Sequence, residues 1–188
     1  MSDRDDCQSL ERVAEGDRSA FERLYRAYYP RIFGYVLRVC RRPDLVEEVV
    51  SDTLLTVWRS AARFDGRSRV STWVFGIAYR KTLKRLARRD GRETPIADGD
   101  AAEPAVAPVG SRRLERGELR AALDRALADL SPEQRAVVEL AYFHDLSYLE
   151  VAEIVGCPVN TVKTRMFHAR RKLRDRLPEL GVNSAEMA

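Results

Sequence analysis

Apolar residues follow helical rather than strand spacing along most of this chain. The clearest example lies near the C-terminus, where the apolar positions are Val162, Met166, Ala169, Leu173 and Leu177. Their steps of four, three, four and four return to the same side of a helix at every turn, so these side chains form one buried stripe. No alternating apolar and polar run competes with this pattern. The spacing predicts an all-α fold.

Several predicted helices begin at a serine that is followed three residues later by Glu or Gln. In this arrangement, the capping box, the two side chains bind backbone N–H groups that the first helical turn leaves without partners. Three pairs have this spacing: Ser19 with Glu22, Ser131 with Gln134, and Ser147 with Glu150. Pro30 has no N–H to donate and its ring crowds the preceding turn, so we expect a break or kink there between two helices.

The helical pattern stops between residues 90 and 111, where Gly, Pro, Ala and acidic residues dominate. Such a composition is typical of a flexible linker. It separates an N-terminal block, residues 1–89, from a C-terminal block, residues 112–188. The sequence therefore predicts two small helical domains joined by a flexible acidic linker.

The C-terminal block contains a short helix predicted from the stretch SYLEVAEIV. The side chains available for burial there are Leu149, Val151, Ala152 and Val155. Gly156 ends this helix, and Cys157 and Pro158 open the next one at once. Two helices joined by so tight a turn predict a helix-turn-helix.

The second helix of this pair carries hydrogen-bonding, apolar and cationic side chains outside its buried stripe. A major-groove recognition helix needs such a mixture, because polar and apolar tips read base edges while cations neutralise phosphates. The alternative is a solvated basic helix face beside an unrelated turn. The candidates for base contact are Asn160, Lys163, Thr164, Phe167 and His168, and those for phosphate contact are Arg165, Arg170, Arg171 and Arg174.

Acidic residues line one side of the helix predicted from Pro43 to Trp58, which contains four acids and no base. Asp44, Glu48 and Asp52 are spaced by four, so they stack on one face, where like charges repel one another. A solvated surface explains the row. So does a docking surface for a basic partner, to which Leu55 adds an apolar contact on the same side.

The segment from Gly66 to Arg89 contains eight Arg or Lys residues and no acid, interleaved with aromatic residues. Cations hold phosphates while aromatic rings stack on unpaired bases, so the mixture suits a nucleic acid with exposed bases. The alternative is that Trp73 and Ile77 belong to the core and the cations only solubilise the helix. The candidates for nucleic-acid contact are Trp73, Tyr79, Arg80, Lys84 and Arg88.

Composition narrows the class of protein further. The chain has 188 residues, 45% of them hydrophobic, and a net charge of +4, which fits a globular protein. Its three cysteines are far apart, so neither a disulfide nor a metal site is expected, and no cofactor is implied. No apolar run approaches the roughly 20 residues of a membrane span, and no signal sequence opens the chain, which predicts a cytoplasmic protein. Phosphate-loop and HExxH motifs are missing, which argues against an enzyme.

Together these segments resemble the extracytoplasmic-function group of sigma-70 factors, over about residues 17–89 and 112–177. The stretch EEVVSDTLLTVW is similar to the polymerase-binding helix in the family's second conserved region. FDGRSRVSTWVFGIAYRKTLKRLARR is similar to the segment that opens and reads the minus-ten element. The helix-turn-helix block, LSPEQRAVVELAYFHDLSYLEVAEIVGCPVNTVKTRMFHARRKLRDRL, is similar to the fourth region, which reads the minus-35 element.

The resemblance implies a sigma factor that binds RNA polymerase core, directs it to promoter DNA and is controlled by an anti-sigma factor. It would join the nucleoid through polymerase. The acidic row and Leu55 would contact the clamp helices of the largest polymerase subunits, and the polymerase flap would be a further partner. The candidates of the basic, aromatic segment would contact the minus-ten element, and Asn160, Lys163, Thr164, Arg165, Phe167, His168 and Arg171 the minus-35 element.

Two residues depart from the family pattern. Ser51 stands where the family usually has Gln, and Arg80 stands where it usually has Asn. Arg80 bears on the minus-ten preference, because an Asn amide both donates and accepts hydrogen bonds whereas Arg only donates them.

A rival class is the autonomous helix-turn-helix regulator, which binds an operator without polymerase core. Regulators that end in such a domain carry an α/β receiver with alternating strands, and residues 1–89 show no strand pattern.

Overall fold

The computed structural model describes residues 3–89 and 113–182. These two stretches contain eight α-helices, a 3-10 turn at Ala61–Arg63 and no strand, which confirms the all-α prediction. The segment predicted to be a linker, residues 90–111, lies outside the described residues. The helices are α1 (Asp3–Ala14), α2 (Arg18–Cys40), α3 (Pro43–Ser60), α4 (Val70–Arg89), α5 (Arg113–Ala128), α6 (Pro132–Phe143), α7 (Tyr148–Val155) and α8 (Val159–Glu179).

The break predicted at Pro30 is wrong, because α2 runs continuously from Arg18 to Cys40. Pro30 is exposed, while Tyr28 and Ile32 on either side of it are 1% and 0% exposed. A proline inside a helix removes one backbone hydrogen bond. Here the burial of both flanking turns outweighs that loss.

The cap of α2 also differs from the prediction. Asp17, not Ser19, is the N-cap, and its carboxylate accepts hydrogen bonds from the N–H groups of Ser19 at 2.8 Å and Ala20 at 3.1 Å. The Ser19 hydroxyl donates a hydrogen bond to the same oxygen. Among the hydrogen bonds that hold the pKa of Asp17 well below its usual range, this one lowers the pKa most. The other two capping boxes, at Ser131 and Ser147, are confirmed.

Helix α1 has no counterpart among the sequence predictions. Leu10 and Val13 bury its apolar side, and the Tyr28 hydroxyl donates a hydrogen bond of 2.6 Å to the Asp6 carboxylate. Burial raises the pKa of Asp6 despite that bond. A charged residue in the core-facing row of α1 hides the helical spacing of that row.

Both halves of the chain contribute to one continuous hydrophobic core. Ile32 and Phe75 are buried in the N-terminal half, and Leu140, Ile154 and Met166 in the C-terminal half. Helix α2 packs against α6, and α4 packs against α7, so the two halves contact each other. The predicted division into domains 1–89 and 112–188 stays a prediction.

The helix-turn-helix is formed by α7 and α8. Gly156 ends α7 in the left-handed conformation, at φ 67°, and its N–H donates to the Ala152 carbonyl, as the turn prediction requires. Leu149 is 68% exposed, so its predicted burial is wrong. It follows the cap residue of α7 by two positions, on the side of the first turn that faces away from the core.

Candidate protein and nucleic-acid interfaces

The exposed face of α8 is set by the burial of its other side. Val162, Met166 and Ala169 are 0%, 1% and 0% exposed, which turns the intervening positions outward. Phe167 is 62% exposed, so its apolar ring lies on the outer face of the helix. The exposed candidates are Asn160, Lys163, Thr164, Phe167 and Arg171, while His168 is half-buried against the Phe167 ring.

Arg165 departs from this face. Its guanidinium lies 4.0 Å from the Cys157 Sγ atom. It is also close enough to Tyr79 of α4 for its charge to favour a lower pKa of the phenol. Burial still dominates there and raises the pKa of Tyr79. Arg165 therefore lies at the contact between the two halves, away from the predicted phosphate-binding surface.

The acidic row of α3 lies opposite a matching basic row on α4. Lys81, Arg85 and Arg89 are also spaced by four, and the two helices place the rows side by side in opposite directions. The pairs are Asp44 with Arg89 at 2.5 Å, Glu48 with Arg85, and Asp52 with Lys81 at 3.9 Å. This pairing was not predicted from the sequence, although both rows have the same spacing.

Ion pairing divides the cations of α4 into two sets. One set neutralises the acids of α3, whereas Arg80, Lys84 and Arg88 remain exposed. Exposed ion pairs contribute only about 0–1 kcal/mol each, so the acids, which are about half exposed, stay available to a stronger basic partner. Leu55 beside them is 44% exposed.

The aromatic candidates of α4 face inward. Trp73 is half-buried against the Phe64 ring, with 5.5 Å between ring centroids, and Tyr79 is 5% exposed. Ile77 is also buried, in agreement with its interpretation as a core residue. In this arrangement neither Trp73 nor Tyr79 presents an open ring for base stacking.

Helix α7 crosses α4 at Gly76. A Cβ atom at this position would lie 3.8 Å from the Ile154 carbonyl oxygen and 3.4 Å from the Arg80 guanidinium, so the two backbones approach closely. At the edge of the crossing, Arg69 pairs with Glu150 at 3.1 Å. The C-terminal half thus covers part of the minus-ten candidate surface.

A second contact joins α2 to α6 through buried charges. Glu139 is 0% exposed and pairs with Arg38, whose guanidinium also lies 4.9 Å from the Phe143 ring centroid. Burial raises the pKa of Glu139, and Arg38 opposes the rise. Arg135 is buried as well, and it donates to the Val39 carbonyl of α2 at 2.9 Å.

His144 completes the contact at the end of α6. Its ring lies 4.4 Å from the Phe75 ring and 6.0 Å from the Tyr35 ring, measured between centroids. Among residues 3–89 and 113–182, its Nε2 atom has no hydrogen-bond partner. Burial lowers the pKa of His144 to about 4, and the charges of Arg31 and Arg38 act in the same direction.

None of these contact residues was a sequence candidate. Polar residues interrupt the apolar stretches of α2 and α6, and such interruptions indicate buried polar groups but not their partners. These residues are Arg38, Arg135, Glu139 and, at the end of α6, His144. Partners on another element cannot be read from helical spacing.

Comparison with known proteins identifies the family. Residues 24–92 match the family model for sigma-70 region 2, and residues 120–173 match the one for sigma-70 region 4. The extracytoplasmic-function sigma factor RpoE of Cereibacter sphaeroides is 34% identical over 181 residues, covering 94% of this chain and 97% of the relative. This chain belongs to the extracytoplasmic-function group of sigma-70 factors.

Two solved structures share the fold of this sigma factor at 23% identity. One is CnrH in complex with the cytosolic domain of CnrY, at a TM-score of 0.67 over 93% of this chain and 98% of the other. The second is the sigma factor RpoE with the anti-sigma factor NepR from Bartonella quintana, at a TM-score of 0.64 over 84% and 96%.

Family membership decides between the classes left open by the sequence. The protein is a transcription initiation factor that directs RNA polymerase to promoters, and the autonomous regulator is not favoured. The region 2 match contains α3 and α4, and the region 4 match contains α7 and most of α8. In the part of the chain that the structure covers, no helix is long and apolar enough to cross a membrane, and no group of three or more potential ligands could hold a metal ion.

We expect the buried His144 to make the stability of this sigma factor fall in acid. Its pKa is about 4 in the folded chain and about 6.5 in an unfolded one, so protonation favours unfolding. Stability is complete above about pH 7 and is lost as the pH falls from there towards 4, by about 2 kcal/mol at pH 5. Urea denaturation of the wild type and of His144→Gln at pH 8 and pH 5 measures the difference.

The matched control is His168→Gln, which removes the other histidine of the chain. His168→Gln should keep the acid loss of the wild type, whereas His144→Gln should lose most of it. Equal pH dependence in all three proteins would contradict the assignment.

Proposed function

We propose that this sigma factor docks on polymerase core through α3, opens and reads the minus-ten element through α4, and reads the minus-35 element through α8. The observation that carries the proposal is the division of α4, where one row of cations is neutralised by α3 and a second row stays exposed. Arg80, Lys84 and Arg88 form that exposed row. Without the ion pairs, the basic segment would be a uniform solvated face.

Core binding is assigned to the four exposed positions on α3. Their carboxylates form a row beside an exposed leucine, a combination that suits a basic partner with an apolar contact, such as the polymerase clamp helices. The positions are Asp44, Glu48, Asp52 and Leu55. The flap is the further polymerase contact that the family resemblance implies.

Strand opening is assigned to Arg80, Lys84 and Arg88, with Trp73 and Tyr79 as stacking partners for unpaired bases. Stacking on an aromatic ring contributes about 1–3 kcal/mol per base, and cations hold the phosphates between the bases. Tyr79 is buried and Trp73 is half-buried against Phe64, so neither ring is fully open to a base in this arrangement.

Minus-35 reading is assigned to the exposed face of α8. Lys163, Thr164 and Phe167 present donor, hydroxyl and apolar groups for base edges, with Asn160 and the half-buried His168 beside them. Arg170, Arg171 and Arg174 supply phosphate contacts, which fix orientation without reading sequence. Arg165 is a further proposed phosphate contact.

Regulation by an anti-sigma factor is part of the proposal. A structure of the same fold, RpoE of Bartonella quintana, was solved in complex with one. We place the protein in the cytoplasm, on the nucleoid through polymerase, and assign it no enzymatic activity. In vitro transcription with purified core, with the start sites mapped, tests the function as a whole, since an autonomous regulator would bind DNA without core and initiate nothing.

Reversing the charge of Asp52 should weaken core binding by several-fold or more. Asp52→Arg replaces attraction by repulsion at a contact of complementary charge. Folding should be unaffected, because the Lys81 pair that is lost is exposed and long, at 3.9 Å. Fluorescence anisotropy of labelled sigma factor with core measures the affinity.

The control is Glu22→Arg, a reversal at an exposed carboxylate of α2 outside the acidic row. If Asp52→Arg binds core as tightly as Glu22→Arg does, α3 is not the docking helix.

Removing two exposed cations of α4 should impair strand opening. The double substitution Arg80→Ala and Lys84→Ala removes phosphate contacts to the melted strand, so it should lower open-complex formation on a duplex promoter. A template already unpaired around the minus-ten element should restore part of the loss. Permanganate footprinting on both templates measures this.

The chain offers a matched control one residue further along α4. Lys81→Ala with Arg85→Ala removes the same charge from the row that pairs with α3. It should spare strand opening at saturating core. Equal defects in both double variants, or no rescue by the unpaired template, would argue against the division of α4.

Base and phosphate contacts of α8 should separate in a library of randomised minus-35 sequences. Lys163→Ala should relax the preference at one or two positions, at a cost of roughly 1–3 kcal/mol for the preferred base. Arg171→Ala should weaken all promoters alike and reduce the salt dependence. If both variants lower every promoter by the same factor, Lys163 does not read bases.

A further inference from the structure

Phe167 places a ring without any hydrogen-bonding group on the recognition face of α8. The side chain is 62% exposed, although Met166 before it is 1% exposed and Ala169 after it is 0% exposed. A single exposed apolar side chain is common on protein surfaces, so exposure alone assigns it no role. What distinguishes Phe167 is the set of side chains around it.

The face around the ring is cationic. Lys163 and Arg171 lie four positions before and after Phe167, so the helix places one of them on either side of the ring. Both are exposed, and residues 159–174 contain no acid. A partner with negative charge suits such a face, and the phosphates of DNA supply that charge.

Thr164 adds a methyl group beside the ring and no free donor. It lies three positions before Phe167 on the same face and is exposed. Its hydroxyl donates a hydrogen bond of 2.9 Å to the Asn160 carbonyl, one turn earlier in the helix. While that bond is intact, Thr164 cannot donate to a base, and it offers only its methyl group and an acceptor oxygen.

His168 supports the Phe167 ring from the side. The two ring centroids are 5.5 Å apart and the ring planes are inclined by 74°, which is an edge-to-face contact. Aromatic rings prefer this geometry, so the contact favours one orientation of the phenyl ring. His168 is half-buried, whereas Phe167 is exposed. The imidazole therefore lies behind the ring that it contacts.

The chemistry of the major groove determines which base such a ring fits. Thymine presents a C5 methyl group there, whereas the other three bases present hydrogen-bond donors and acceptors without a methyl. A phenyl ring pairs with no donor or acceptor, and a polar group that it covers loses its hydrogen bond to water. An apolar ring held on this face therefore favours thymine.

We propose that Phe167 recognises the methyl group of a thymine in the minus-35 element, and that His168 is a positioning residue that holds the ring and reads no base itself. This assignment rests on the proposed role of α8 in minus-35 reading. It adds the identity of one base to that role. It also separates His168 from the candidates that contact bases.

Replacing thymine by uracil tests the contact, because it removes the methyl group and leaves every hydrogen-bonding group in place. The DNA is a promoter fragment with the preferred sequence from the randomised minus-35 library, and each thymine of the element, on either strand, is replaced in turn. At one position uracil should weaken binding about fourfold, which corresponds to one buried methyl group. Holoenzyme assembled from full-length sigma factor and purified core, in competition with the labelled parent fragment, gives the thymine-to-uracil affinity ratio.

Variants of α8 assign that ratio to side chains. Phe167→Ala should bind the parent promoter at least about fivefold more weakly and should bind thymine and uracil equally. His168→Ala should reduce the ratio, whereas His168→Phe, which retains a ring, should restore it. Leu149→Ala is the matched control, because Leu149 is an apolar side chain that is 68% exposed on α7. It should keep the full ratio, and circular dichroism verifies that each variant is folded.

A preferred element without thymine on either strand, or a wild type that no uracil replacement weakens, would overturn the proposal. A ratio that persists in Phe167→Ala would overturn it as well, and if that variant also loses affinity for core, the ring is a protein contact. If His168→Phe changes the base preference as His168→Ala does, His168 reads a base and its positioning role is wrong.

A separate outcome concerns α8 as a whole. If neither Phe167→Ala nor Lys163→Ala alters the ranking of minus-35 sequences, α8 does not read the element and the proposed function fails there. If Lys163→Ala alters the ranking but no thymine is distinguished from uracil, α8 keeps its role and only the thymine contact of Phe167 is wrong.

Discussion

Glu139 is a carboxylate with no exposure to water, and its cationic partner, Arg38, belongs to the other half of the chain. A charge buried in this way is tolerated only with a partner at short range. The pair therefore ties the orientation of α6 to that of α2. The crossing of α7 over α4 and the burial of Tyr79 both depend on that orientation.

Charge pairing also determines which parts of the N-terminal half are available to partners. The acidic row of α3 and one basic row of α4 neutralise each other along the seam between the helices. What remains unpaired on α4 is the outer row, Arg80, Lys84 and Arg88. A partner that binds the acids of α3 must compete with Lys81, Arg85 and Arg89.

Much of this fold could be predicted from local sequence, because helix caps, the Gly156 turn and the buried stripe of α8 are all features of short segments. Two of the failures come from contacts between residues distant in sequence. Pro30 stays inside a helix because distant packing outweighs its local cost, and α1 was missed because Asp6, a charged residue, occupies a core-facing position that Tyr28 makes acceptable.

The candidate interfaces also combine features that local sequence predicts with features that it does not. The exposed faces of α3 and α8 follow from periodicity, since a buried stripe dictates what lies opposite. The burial of Tyr79 and the position of Arg165 do not, because both depend on where the other half of the chain lies. Periodicity places a side chain on one face of its helix, but it does not reveal which other element covers that face.

Gly76, where α7 crosses α4, determines how closely the two halves approach each other. A methyl group there would meet the Ile154 carbonyl at ordinary contact distance, at 3.8 Å, whereas a longer or branched side chain would act as a wedge between the helices. Gly76 is not a candidate for base or phosphate contact. Residue size at this one position would therefore limit how much area the two halves can share.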